Sequence, residues 1–174
     1  GISGTYGTMV HQLTINNGPR NGLGMVALNN ANTTFCETIF INNCRTILPV
    51  NANAAVINSR GVIGQIFLDN IQALFTDTTQ GRIFRGIGAN SVSKIHANNV
   101  TQLRGLAAFG SLAAMATQPE IYISNATFDG TTGVVDLTGT TAKVYCKNVK
   151  ALIASGFVPF SSNAGSYYKI GRAS

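Results

Sequence analysis

Six segments of the chain share one pattern of apolar and polar positions: apolar, any residue, apolar, polar, Asn, then small or apolar. They are LTINNG from Leu13, IFINNC from Ile39, IFLDNI from Ile66, IHANNV from Ile95, IYISNA from Ile121 and VYCKNV from Val144. The shared Asn falls at Asn17, Asn43, Asn70, Asn99, Asn125 and Asn148, so the pattern recurs every 26, 27, 29, 26 and 23 residues. Four residues before it stand Leu13, Ile39, Ile66, Ile95, Ile121 and Val144. Two before it stand Ile15, Ile41, Leu68, Ala97, Ile123 and Cys146. A two-residue period places both sets on one face of a strand. The apolar run resumes directly after the Asn, at Gly18, Cys44, Ile71, Val100, Ala126 or Val149. One strand therefore ends at each Asn, the chain turns, and a second strand begins. Asn suits the corner because it tolerates the left-handed backbone region. Its amides, stacked at the inter-strand spacing of about 4.8 Å, can bond from rung to rung.

The rest of each period holds a further short strand, at Met25–Leu28, Ala54–Ile57, Arg82–Arg85, Leu106–Phe109 and Val134–Leu137. Over Gly105–Ala116 a short Ala-rich helix is the alternative, with Gly110 in its middle speaking against it. Self-similarity at this period is the mark of a solenoid. No unit offers two amphipathic helices or a leucine-rich consensus. The expected fold is all-β, a right-handed parallel β-helix of about six rungs, roughly 29 Å long. Residues 1–8 are a lead-in, 9–155 the β-helix, and 156–174 a partial rung or C-terminal extension, in which Arg172 stands where the Asn belongs.

These six Asn, with their two flanking columns, resemble the Asn ladder of the pectate-lyase-like parallel β-helices over about residues 9–153. Within that superfamily the chain looks most like bacteriophage tailspikes and tail fibres, in view of its low charge and unpaired cysteines. The resemblance implies a homotrimer that engages bacterial surface polysaccharide, located on the virion tail or an extracellular surface and assembled in a reducing cytoplasm. The alternative it implies is a polysaccharide lyase or glycosidase on the same fold.

Three residues before each Asn, between the inward columns, stand Thr14, Phe40, Phe67, His96, Tyr122 and Tyr145. This position points outward, so five rungs stack a ring on one external face. Three readings are open: rings that brace the sheet, a seam between subunits of a trimer, or a platform for pyranose faces.

Composition narrows the chemistry. Of 174 residues only 10% are charged, and 12 basic against 6 acidic residues give a net charge of +6. The bases are scattered, without the stripe or module that nucleic-acid binding needs, and no apolar run is long enough to span a membrane. Neither nucleic acid nor membrane insertion is expected. Three cysteines cannot form a complete disulfide set. Cys44 and Cys146 replace apolar residues of the repeat, as buried thiols do. A hydrolase needs two carboxylates across a cleft. The candidates are Asp69, which reads as a corner residue, Asp77 in the loop TDTTQGR, and Asp129, but no pair is set by spacing. No metal site and no cofactor are expected. Arg82, Arg85 and Arg20 are read as loop bases for an anionic glycan. The sequons at Asn99 and Asn125 fall on a ladder expected to be buried, which would bar glycosylation there.

Overall fold

The apolar pairs of the repeat form strands because branched side chains at every second position pack on a pleated surface, and stacking the repeats buries them. A computed structural model describes residues 8–16, 19–21, 26–28, 34–48, 55–76, 81–87, 91–112, 114–129, 133–152 and 160–162, with side chains described for these except 8–34, 48, 91 and 160–162. In chain order the strands are β1 (Thr8–Asn16), β2 (Pro19–Asn21), β3 (Val26–Leu28), β4 (Thr34–Leu48), β5 (Ala55–Ser59), β6 (Val62–Phe75) and β7 (Arg82–Gly86). They continue as β8 (Ser91–Leu103), β9 (Ala107–Ser111), β10 (Glu120–Asp129), β11 (Gly133–Leu137), β12 (Lys143–Leu152) and β13 (Phe160–Ser162). Among the described residues there is no helix, and the Ala-rich segment is strand β9.

The strands make two parallel sheets. One runs β1–β4–β6–β8–β10–β12, with β2 also on β4, and the other runs β13–β11–β9–β7–β5–β3. Consecutive repeats lie directly above one another: Ile39 pairs with Ile66, Ile66 with Ile95, Ile121 with Ile95 and with Val144. The chain is thus a parallel β-solenoid. It completes about four turns from Asn43 to Asn148, fewer than the six rungs expected. Asn17 lies outside the described residues.

The corner is a bend within one long strand rather than a gap between two. Asn43, Asn70, Asn99, Asn125 and Asn148 all have φ between 50° and 54°, and backbone pairing runs up to the residue before each Asn and resumes beyond it. There side-chain amides take over. Asn70 Nδ2 donates to Asn43 Oδ1 at 2.8 Å, Asn99 to Asn70 at 3.2 Å and Asn148 to Asn125 at 2.9 Å. One step is offset, because Asn125 donates to Asn98 Oδ1 at 3.1 Å. The five amides are exposed rather than buried. Burial therefore does not bar the sequons at Asn99 and Asn125, which corrects the expectation drawn from sequence.

Both inward columns reach the core. Ile39, Ile66 and Ile121 are fully buried, as are Ile41 and Leu68 to within 1%, and each such side chain contributes about 1.5–3 kcal/mol. Cys36, absent from the sequence pattern, joins a third inward column with Ile63 and Val92. The second sheet is buried on both faces: Val56, Ile83, Ala108 and Val134 have no exposure, and neither do their neighbours of opposite parity, Ile57 and Phe109. Continuous apolar runs, rather than alternation, are what a doubly covered parallel sheet requires.

Candidate functional site

The outer face of the limb before the corner carries three columns. In the middle one, Phe40, Phe67, His96, Tyr122 and Tyr145 are held in register by the strand pairing. Their rings stack in an unbroken file, with centroids 4.9, 4.7, 4.8 and 4.6 Å apart and planes within 11° of parallel. The spacing follows from the distance between paired strands. Phe67, His96 and Tyr122 therefore have both ring faces against a neighbouring ring, and all five rings are half-buried. A pyranose needs a free ring face, so the interior of the file has none to offer.

Polar columns flank the rings. On one side Thr38, Gln65, Lys94, Glu120 and Lys143 are in register, and on the other Asn42, Asp69, Asn98, Ser124 and Lys147. Tyr122 donates to Glu120 Oε2 at 2.9 Å, and this bond, with Lys94 at 3.9 Å and Lys143 at 3.7 Å, holds the Glu120 carboxyl below its ordinary pKa. The same bond raises the Tyr122 phenol. Burial within the file, then Lys94, lowers the His96 imidazole against the opposing pull of Glu120. In the second column Asn98 donates to Asp69 at 2.8 Å and accepts from Ser124 at 2.9 Å.

Beyond the corner, the outer face of the other limb carries an aliphatic column. Ile47, Leu74, Leu103 and Leu152 line up through Asp129, with Ile47 and Leu103 each 40% exposed and Leu152 48%. A shallow groove runs beside it, lined by Arg45, Thr46, Gln72, Ala73 and Thr101 as well. Exposed leucines in file are unusual on a soluble monomer and tend to mark interaction surfaces.

Arg82 and Arg85 are not loop bases. Both lie in β7 with 4% and 5% exposure. Burial pulls down both guanidinium pKa values, with Asp136 opposing the shift at Arg82 and Arg60 adding to it at Arg85. Arg85 donates to Asn58 at 3.4 Å. Room for Arg82 comes from Gly110, where a Cβ would sit 2.6 Å from its Nε. Sequence reading missed this because a strand arginine is ordinarily taken as solvated. The one available signal was the glycine in the strand above. Arg20 is in β2, where its backbone pairs with Thr46.

Nor does the fold gather the carboxylates. Asp69 is engaged by Asn98 in its column, Asp129 stands two rungs away on the other limb, and Asp77 lies outside the described residues. Among the described residues no three His, Cys, Asp or Glu side chains come together to hold a metal, and no helix is long and apolar enough to cross a membrane. Cys36 and Cys44 are buried and Cys146 is half-buried, with burial raising the Cys36 pKa. Comparison with models of known protein families, with curated proteins and with solved structures finds no match, so function has to be argued from this geometry.

Proposed function

We propose that the chain is a shaft segment of a tailspike- or tail-fibre-like bacteriophage protein, a rigid solenoid that engages bacterial surface polysaccharide and assembles as a homotrimer. The observation that carries the reading is the outer face of the first limb. Side chains from five successive rungs there form parallel polar columns on either side of a ring file. A surface repeating at fixed interval along a rigid axis suits a polymer that itself repeats. Support for self-association is the aliphatic column Ile47–Leu74–Leu103–Leu152, in which Ile47, Leu103 and Leu152 are exposed whereas every ring of the file is half-buried. The placement would be a virion tail or extracellular surface after assembly in a reducing cytoplasm, in keeping with three cysteines outside any disulfide.

Two measurements test this. Titration with capsular and lipopolysaccharide preparations should give saturable binding without release of reducing ends or unsaturated sugars. Release of either would make the chain a glycosidase or lyase instead. Light scattering should return a mass near three times 18.3 kDa, and Leu103→Lys should reduce it to one chain while the far-ultraviolet spectrum stays the same. A wild-type monomer would remove the trimer from the proposal.

A further inference from the structure

The two ends of the ring file differ in charge. Around Phe40 and Phe67 the flanking side chains are Thr38, Gln65, Asn42 and Asp69, with no cation among them. Around His96, Tyr122 and Tyr145 they are Lys94, Glu120, Lys143, Asn98, Ser124 and Lys147, three ammonium groups against one carboxylate. Glu120 is already committed to Tyr122 and sits between Lys94 and Lys143 at 3.9 and 3.7 Å, longer than direct hydrogen bonds. Lys147 is exposed and has no ion pair among the described residues. On β12 the outward side chains before the corner read Lys143, Tyr145, Lys147, an aromatic ring between two cations on one strand. Tyr145 stacks on Tyr122 through one face and meets no described ring on the other.

We infer that the polysaccharide bound at this face is anionic, with an acidic sugar seated on Tyr145 and its carboxylate or sulfate held by Lys143 and Lys147. The inference deepens the proposed polysaccharide-binding reading and rests on it. Phe67, His96 and Tyr122 have both ring faces closed, so stacking falls to the end rings Phe40 and Tyr145, and of these Tyr145 is the one flanked by positive charge. Lysines on the last described strand of a sheet also discourage edge-to-edge pairing. That role requires neither Tyr145 nor Lys94.

The test uses polygalacturonate, its fully methyl-esterified form and an oligothymidylate, titrated into the whole chain by calorimetry at low and high salt. The acid polymer should bind, the ester should bind at least tenfold more weakly, and added salt should weaken the acid polymer but not the ester, because exposed charges are screened. Lys143→Gln and Lys147→Gln should each cost up to about fivefold, the upper end for an exposed ion pair, and Tyr145→Leu should weaken binding further. Arg60→Gln removes one exposed charge from the bend between β5 and β6 and should change nothing. Equal affinity for acid and ester would overturn the inference, as would a loss from Arg60→Gln matching that from Lys147→Gln. Oligothymidylate binding as tight as the acid polymer would replace the glycan by nucleic acid. If only neutral surface glycans bind, the inference fails and the proposed function stands. If no glycan binds, both fall.

Discussion

At the scale of one residue, the corner Asn combines two roles that substitution can separate. The left-handed φ of Asn70, 53°, is costly for residues with a Cβ and no local hydrogen-bonding group, by about 1–2 kcal/mol. Its amide also bonds upward and downward, to Asn43 and from Asn99. Asn70→Gly keeps the backbone and loses the amides, which are exposed and contribute about 1 kcal/mol. Asn70→Ala loses both and should destabilise by about 2–3 kcal/mol. Urea unfolding of the two variants checks the order, and an alanine variant no worse than the glycine one would mean the dihedral is not what Asn provides. His96 gives a second residue-scale outcome. Its pKa is lowered in the fold by burial and by Lys94, so below about pH 6.5 the unfolded chain takes up a proton that the folded chain resists. Stability should therefore be full above that pH and decline as pH falls through the window between the two values. Glu120, also lowered, adds a loss only below about pH 4.5. His96→Phe should abolish the upper decline and leave the lower one, read from melting temperature against pH.

At the scale of the element, the strands of both sheets were legible in the chain, but the covering of the second sheet on both faces was not, for a physical reason. A strand with one covered face alternates, and that alternation, repeated around a fixed Asn, located the inward columns Ile39–Ile66–Ile95–Ile121 and the outward rings alike. The stacked file of rings was legible as well; what no local pattern gives is the near-parallel closure of both faces of Phe67, His96 and Tyr122, which depends on the pairing of strands about 27 residues apart. Strands β5, β7, β9 and β11 are covered on both faces, which erases alternation and leaves a run such as RIFRG open to being read as solvated bases. Gly110 shows how tightly that sheet is filled. In sequence it counts only against a helix, whereas in β9 its missing side chain leaves the space that Arg82 occupies. Gly110→Ala should therefore destabilise by about 1–3 kcal/mol through overpacking, although alanine is ordinarily the better-tolerated residue within a strand. An unchanged urea midpoint would show that the guanidinium can move aside at no cost.

At the scale of the whole molecule, each strand pairs only with those above and below it, so the stack is close to one-dimensional. The stability of such a stack is approximately a sum of rung terms and neighbour interfaces, and local damage need not spread along the full length. Ile95, in the middle rung, is 1% exposed and pairs with Ile66 and Ile121. Its truncation to alanine should cost about 2–5 kcal/mol, the usual range for a buried isoleucine. In a nearest-neighbour stack that cost falls on β8 and on the two strands that share its interfaces. Amide hydrogen exchange of Ile95→Ala should show β6, β8 and β10 losing protection together, while β4 and β12, one step further out, lose less. If protection falls equally in all five strands, the rungs unfold as one cooperative body and nearest-neighbour additivity does not describe this solenoid. The rigidity the proposed shaft requires would then be a property of the entire coil and not of its individual turns.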